Sequence, residues 1–202
     1  MRKILIATSN PGKLRDFAGV ALQHGVEIAG IPGFSSLPTV VEDGLTFEAN
    51  ARKKAEEYSL HVPGEVVLAD DSGLEIDALN GAPGVYSARY AQLLNGGEKN
   101  DAANNARLVA DLANETDRRA YFFSVLVLVR HADDPEPLIA EGRWHGEVID
   151  TPRGANGFGY DAHFLVPSLG QTAAELDPAV KNASSHRAIA LRHLLARLKE
   201  IS

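Results

Sequence analysis

The sequence predicts an α/β fold in which a mixed, twisted sheet is flanked by helices. Apolar, strand-like runs occur at residues 4–7, 66–69 and 121–129, and segments with helical spacing of apolar residues separate them. The run at 138–144 follows residues 121–129 across a polar turn that contains proline, which is typical of an antiparallel hairpin. Alternation of strands and helices together with an antiparallel pair indicates a mixed sheet.

The composition indicates a single domain over residues 1–202. With 202 residues, 45% of them hydrophobic, the chain can bury a substantial core, and no linker, repeat or compositional shift divides it. The formal net charge of −7, with both signs interspersed, argues against a polynucleotide partner. The absence of cysteine excludes disulfides and thiol catalysis.

The beginning of the chain and its apolar runs favour a soluble cytoplasmic protein with no membrane partner. A strand-like segment begins after three residues, which leaves no room for a signal peptide. No apolar run approaches the roughly 18 residues of a membrane-spanning helix.

The segment Thr8-Ser9-Asn10-Pro11-Gly12-Lys13 links the first strand to a predicted helix. Asn10 is suited to cap this helix and Pro11 to its first position. We therefore expect free backbone N–H groups and the Lys13 cation at the helix N-terminus, which together could bind phosphate. A simple capping role for the same residues is the alternative.

The same segment does not match a P-loop. The Walker A pattern would need glycine at position 7 and serine or threonine at position 14, where this chain has Ala7 and Leu14. A P-loop NTPase is therefore disfavoured.

Adjacent carboxylates, Asp70 and Asp71, come directly after the apolar run 66–69. Open α/β sheets bind ligands beyond the carboxyl ends of their strands, so these acids are candidate metal ligands. Mg²⁺ takes one or two protein carboxylates and completes its shell with water and phosphate oxygens. A turn built from Asp, Ser and Gly is the alternative. Glu42, ahead of a helix predicted over 46–58, is either a second metal ligand or an acid that complements the helix dipole.

A glycine-rich loop at residues 153–161 could enclose a base with Phe158, Tyr160 and Asp161. Its glycines do not have the order of a dinucleotide-binding fingerprint.

The last helix is predicted to begin with two cationic residues. Ser184 or Ser185 is suited to cap it, which places His186 and Arg187 in the first turn. Cations are unfavourable at the positive end of a helix, so these side chains require an anion or a carbonyl oxygen as partner.

Six separated segments together resemble one protein family. The segments are Thr8–Lys13, Glu42–Phe47, Asp70–Gly73, Gly81–Tyr90, Gly157–Asp161 and Ser185–Arg187. In this order and spacing they resemble the inosine triphosphate pyrophosphatase family, and within it the bacterial XTP/dITP diphosphatases of the Ham1-like type. The resemblance covers essentially the whole chain.

This resemblance implies a fold, a reaction and a set of partners. The fold would be an elongated, two-lobed domain with a central nucleotide cleft, usually assembled as a homodimer. Family members use Mg²⁺ to hydrolyse deaminated purine nucleoside triphosphates (ITP, dITP and XTP) to the monophosphate and pyrophosphate. The reaction keeps these bases out of DNA and RNA, and its only implied partner besides a second copy is the small nucleotide substrate.

The resemblance also implies roles for individual residues. Glu42 and Asp71 would bind the metal, and Asp71 would also be the proton acceptor. Because a metal-bound carboxylate is a weak base, we expect Asp71 to position the attacking water. Lys54 falls where some members have a further substrate-binding lysine. The implied substrate-binding residues are Thr8, Ser9, Asn10, Pro11, Gly12, Lys13, Ser72, Phe158, Gly159, Tyr160, Asp161, Lys181, His186 and Arg187.

Two other functions remain as alternatives. Maf-like nucleotide pyrophosphatases share the early lysine loop but prefer other bases, and the two late segments argue against them. A non-catalytic nucleotide sensor would keep the pocket without turnover, and the presence of Glu42, Asp70 and Asp71 disfavours it.

Overall fold

A computed structural model describes residues 2–200, which form helices around one seven-stranded sheet. The strands are Arg2–Ile6 (β1), Val26–Gly30 (β2), Val67–Ile76 (β3), Arg119–Val129 (β4), Leu138–Val148 (β5), Phe164–Val166 (β6) and Gln171–Thr172 (β7). The α-helices are Pro11–Gln23 (α1), Phe47–Ser59 (α2), Gln92–Asn95 (α3), Asp101–Asp111 (α4), Pro178–Ser184 (α5) and His186–Glu200 (α6). Short 3₁₀ segments lie at Phe34–Ser36, Asp77–Leu79, Gly84–Arg89 and Asp161–His163.

The sheet is mixed, as predicted. Its strand order is β2-β1-β3-β4-β5-β6-β7. Strand β1 pairs in parallel with β2 and β3, whereas β6 pairs antiparallel with both β5 and β7. Strands β4 and β5, the predicted hairpin, are neighbours. No helix within residues 2–200 is long and apolar enough to cross a membrane.

The described chain forms two compact units, and the first consists of residues 2–71, 124–142 and 182–200. Its strands are apolar on both faces because helices cover both. Alternate residues such as Ile4 and Leu68 pack with α1 and α6, while their neighbours Leu5 and Val67 pack with α2. Burial on both faces explains why the strand sequences are continuous apolar runs.

The second unit consists of residues 72–123 and 143–181 and has its own core. Leu74 and Ile76 from β3 pack there with Leu108 of α4 and with the aromatic rings of Trp144 and Phe164. The rings of Trp144 and Phe164 lie 5.3 Å apart between centroids.

Strand β3 is longer than the sequence indicated. The apolar run 66–69 predicted a strand that ends before Asp70, but one strand continues from Val67 to Ile76. Its parallel pairing with β1 aligns Leu5 with Val67 and Ile6 with Leu68. Asp70 and Asp71 therefore lie within β3 but beyond the end of its neighbour β1.

Candidate active site

Asn10 organises the loop before α1 as predicted. Its Oδ1 accepts hydrogen bonds from the N–H groups of Gly12 (2.8 Å) and Lys13 (3.2 Å), and Pro11 occupies the first turn. The N–H of Leu14 donates to the Asn10 carbonyl at 3.1 Å. The expectation of free N–H groups at this terminus is therefore wrong, because the cap itself uses them. What this loop offers an anion is the helix dipole and the Lys13 ammonium.

Lys13 forms a buried ion pair with Asp70. The distance from Lys13 Nζ to Asp70 Oδ2 is 2.8 Å, and the Asp70 side chain is only 1% exposed. Ser124 on β4 donates its hydroxyl to the other oxygen, Asp70 Oδ1, at 2.7 Å. Arg187 Nε lies 3.9 Å from Asp70 Oδ2. Asp70 thus holds two cations of the first unit in one place.

The pKa values in this cluster follow from burial and from the neighbouring charges. Burial alone would raise the pKa of Asp70, but Lys13 and Arg187 outweigh it and hold that pKa well below its ordinary value. Burial lowers the pKa of Lys13, and the nearby Arg187 and Lys54 charges lower it further, while Asp70 opposes the shift. An additional anion beside Lys13 and Arg187 would therefore be electrostatically favourable.

Lys54 on α2 joins the two predicted metal ligands. Its Nζ lies 2.5 Å from Glu42 Oε1 and 3.9 Å from Asp71 Oδ1, and it donates to the Asp70 carbonyl at 2.7 Å. Burial raises the pKa of Asp71 to about 6, with the Glu42 and Asp70 charges adding to the shift and Lys54 opposing it. Burial would lower the pKa of Lys54, but Asp71 and Glu42 outweigh it and raise that pKa.

The Glu42 and Asp71 carboxylates fit a magnesium ion. Both already face one cation, the Lys54 ammonium, and Asp71 Oδ2 is buried without a hydrogen-bond partner. Within residues 2–200 no group of three or more His, Cys, Asp or Glu side chains is suited to a metal ion. Two carboxylate ligands are nevertheless sufficient for Mg²⁺, which takes its other ligands from water and phosphate.

Helix α6 begins as predicted and presents Arg187 to acids of the first unit. Ser185 Oγ accepts the N–H of Ala188 at 3.2 Å, which identifies Ser185 as the cap. Arg187 Nη1 lies 3.3 Å from Asp16 Oδ2, in addition to its approach to Asp70. For Arg187, the predicted need for an anion or a carbonyl oxygen is met by these two carboxylates.

Gly142 on β5 determines how closely α6 approaches the sheet. A Cβ atom at this position would lie 2.2 Å from the carbonyl oxygen of His186 and 2.6 Å from the backbone nitrogen of Ala190. Only glycine allows the helix backbone to pack against the strand here. His186, at the start of this helix, is 2% exposed.

In the second unit, Asp161 holds the glycine-rich loop together. Its Oδ2 accepts the N–H of Phe158 at 3.1 Å and the Lys181 ammonium at 2.9 Å. Lys181 Nζ also lies 5.5 Å from the centroid of the Phe158 ring. Gly157 has a φ of +74°, and a Cβ there would lie 2.0 Å from Asp161 Oδ2, so this position requires glycine. Tyr160 donates its hydroxyl to the Ser87 carbonyl at 2.6 Å.

The predicted site residues thus form three groups. The first unit contains the loop 8–13 with Arg187, and beside it the carboxylates Glu42 and Asp71 with Lys54. The second unit contains Phe158–Asp161 with Lys181, and also Ser72.

Asp16, Ser124 and Gly142 have no role in the sequence-based prediction. Of these three, Ser124 could have been noticed in the sequence, because it is a polar residue within the apolar run 121–129.

The Ham1 family model matches residues 4–197. The chain belongs to the Ham1 family. A Burkholderia pseudomallei protein named dITP/XTP pyrophosphatase is 60% identical over 200 residues, which cover 98% of this chain and 94% of that protein. A Ralstonia nicotianae protein of the same name is 57% identical over 199 residues, or 98% of each chain.

Solved Ham1 structures share the fold. The Staphylococcus aureus Ham1 protein has a TM-score of 0.83 and 41% identity, with 100% of both chains covered. A HAM1 protein from Coxiella burnetii has a TM-score of 0.85 and 44% identity, with 99% of this chain and 100% of that chain covered. The resemblance to this family and the predicted mixed sheet flanked by helices are therefore confirmed.

We expect Ser124→Ala to lower the free energy of unfolding by about 1.5–3 kcal/mol, because it removes a hydrogen bond to a buried, charged carboxylate. Urea denaturation measures this loss. Ser59→Ala is the matched control, since the buried Ser59 hydroxyl donates to a neutral carbonyl, that of Glu56. The control should cost only about 0.5–1.5 kcal/mol. Equal losses in the two variants would mean that Ser124 does not support the Asp70 charge.

Proposed function

We propose that this protein hydrolyses the deaminated purine nucleoside triphosphates ITP, dITP and XTP to the monophosphate and pyrophosphate, in the presence of Mg²⁺. The observation that carries the proposal is the first unit's charge cluster, in which Lys13 and Arg187 flank Asp70 and a carboxylate pair, Glu42 and Asp71, lies next to it. The names of relatives 57–60% identical to this chain support the choice of substrate.

The cluster combines the two kinds of group that triphosphate hydrolysis needs. Lys13 supplies positive charge for phosphate oxygens, and Asp70 already holds that charge in place. Glu42 and Asp71 would hold Mg²⁺, which when bound supplies neutralisation of the phosphate charge and a more acidic water. Asp71 Oδ2, buried and without a hydrogen-bond partner, is suited to accept a hydrogen bond from the attacking water and orient it.

Base selection is proposed to depend on hydrogen-bond donors. Hypoxanthine and xanthine present a 6-keto acceptor, whereas adenine presents a 6-amino donor. The family resemblance implies that Lys181, His186 and Arg187 favour the keto bases, and each of them is a buried side chain that carries donors. In the second unit, the Phe158 ring offers a surface for stacking. Guanine also has a 6-keto group, so GTP has to be discriminated at position 2, and we expect that discrimination to be weaker.

A panel of nucleoside triphosphates incubated with Mg²⁺, with pyrophosphate and orthophosphate detected separately, tests this function. We expect pyrophosphate and monophosphate as the only products, loss of activity on chelation, and its return when Mg²⁺ is added. The kcat/KM for dITP or XTP should exceed that for ATP by up to about 10⁴-fold, since mispaired buried donors are costly. His186→Ala or Arg187→Ala should reduce this ratio.

Other outcomes of the panel identify the alternatives. Orthophosphate released first, with a diphosphate, would place the scissile bond elsewhere than between the α- and β-phosphates. Comparable turnover of ATP and ITP would contradict the base-reading residues and favour a Maf-like enzyme. Binding of ITP without pyrophosphate release would favour a sensor.

We further propose that the chain acts as one domain over residues 1–202 and as a cytoplasmic homodimer, as the family resemblance implies. Light scattering during size-exclusion chromatography measures the oligomeric state. A monomer at micromolar concentration would contradict the dimer without affecting the proposed reaction.

A further inference from the structure

Helix α4 binds both polar groups of one residue in the glycine-rich loop. The N–H of Gly159 donates to Asp101 Oδ2 at 2.9 Å, and Asn105 Nδ2 donates to the Gly159 carbonyl at 3.0 Å. Asp101 and Asn105 are four residues apart on α4, so they lie one above the other on the same face of the helix. All three residues belong to the second unit.

These two bonds act on the residue between the two aromatic side chains of the loop. Gly159 has a φ of +60°, and a Cβ built on it would have no atom within 4 Å. Helix α4 therefore positions Gly159 through hydrogen bonds rather than through close packing. Phe158 and Tyr160 flank this residue, so the direction of both side chains depends on how Gly159 is held.

Asn105 makes its bond at a cost. Its Oδ1 atom is buried and has no hydrogen-bond partner in the described structure. A buried, unsatisfied carbonyl oxygen is unfavourable. Selection for stability alone does not favour such an arrangement, whereas a requirement to hold the loop does.

We propose that Asp101 and Asn105 are positioning residues that hold the Phe158–Tyr160 segment in its base-binding conformation. In this role they act through the Gly159 backbone rather than on the substrate or the metal. This inference rests on the proposed function, since the loop must bind a purine base for its position to matter. It assigns to α4 a role in affinity for the base and none in affinity for the phosphates.

In one bond the α4 side chain accepts and in the other it donates, so substitutions can remove, keep or reverse each interaction. Asp101→Ala removes the acceptor, whereas Asp101→Asn keeps an acceptor oxygen and removes only the charge. Asn105→Asp replaces the donor with a carboxylate that faces the Gly159 carbonyl, so attraction becomes repulsion. Asn100→Ala is the matched control, because Asn100 caps the same helix through the N–H of Ala103 and has no bond to Gly159 in the described structure.

The experiment measures steady-state kinetics with dITP and, in the same assay, inhibition by inorganic tripolyphosphate as a probe of phosphate affinity. Asp101→Ala and Asn105→Asp should raise the KM for dITP by about tenfold, as expected for the loss of one hydrogen bond, with kcat within about twofold. The inhibition constant of tripolyphosphate should not change. Asp101→Asn should recover most of the KM lost in Asp101→Ala, and the control should melt earlier without a change in KM.

Three results would overturn the inference without affecting the proposed function. The first is an unchanged KM in both Asp101→Ala and Asn105→Asp, and the second is an equal rise of KM in the Asn100→Ala control. A matching rise in the tripolyphosphate inhibition constant would also contradict it, since the effect would then be general. If the unmutated protein released no pyrophosphate from dITP, ITP or XTP, the proposed function would fail and the inference with it.

Discussion

Asp71→Asn should reduce pyrophosphate release by about 10²–10³-fold, since a metal ion contributes several kcal/mol of charge stabilisation and each 1.4 kcal/mol is tenfold in rate. The amide keeps the volume of the carboxyl group but removes its charge. Asp71 Oδ2 has no hydrogen-bond partner in the structure, so the substitution breaks no bond at that atom. We therefore expect steady-state activity to collapse while the thermal unfolding midpoint stays close to that of the unmutated protein.

Glu42→Gln should act in the same direction through metal affinity, with activity partly restored by excess Mg²⁺. Asp43→Asn is the control, since Asp43 is the adjacent acid, is exposed, and has Lys53 as its partner at 3.0 Å. That variant should keep full activity. If excess Mg²⁺ restored neither Asp71→Asn nor Glu42→Gln and both melted early, their role would be structural and the proposed metal site would be wrong.

Lys13→Met should cost both stability and activity. Removing one partner of a buried ion pair costs about 3–5 kcal/mol when the other charge is left uncompensated. Arg187, 3.9 Å from Asp70, still compensates part of that charge, and the Lys13 side chain is 18% exposed, so we expect the lower end. Activity should fall because the triphosphate loses a cation from its proposed site. Urea denaturation and steady-state kinetics measure the two effects separately.

The double variant Lys13→Met, Asp70→Asn distinguishes these two effects. With both charges removed, the asparagine oxygen still accepts the Ser124 hydroxyl, so most of the lost stability should return. Activity should not return, because no cation replaces Lys13. A double variant that regained both would show that Lys13 serves only to neutralise Asp70.

Local features of this fold were predictable from the sequence because they depend on neighbouring residues. The caps at Asn10 and Ser185 lie within three residues of the N–H groups that they bind. The apolar runs of β1 and β4 also indicated strands correctly, since burial on both faces leaves a continuous signal.

The partners of the buried charges were not predictable in this way. Ser124 lies 54 residues from Asp70, and Arg187 lies 171 residues from Asp16. No local pattern specifies such pairs, because the chain topology brings them together. The same holds for Gly142, whose need to lack a side chain depends on a helix that begins more than forty residues later.

The sequence by itself determined the fold class, the family and the residue types of the proposed site. Only the tertiary structure decided what each acid does. Asp70 and Asp71 are adjacent and chemically identical, yet successive residues of a strand point to opposite faces. Asp70 contacts Lys13 and Ser124 and has a lowered pKa, while Asp71 is partly buried, is affected by the Glu42 charge and has a pKa raised to about 6. The difference lies in desolvation and neighbouring charge, which are properties of the folded environment rather than of the residue.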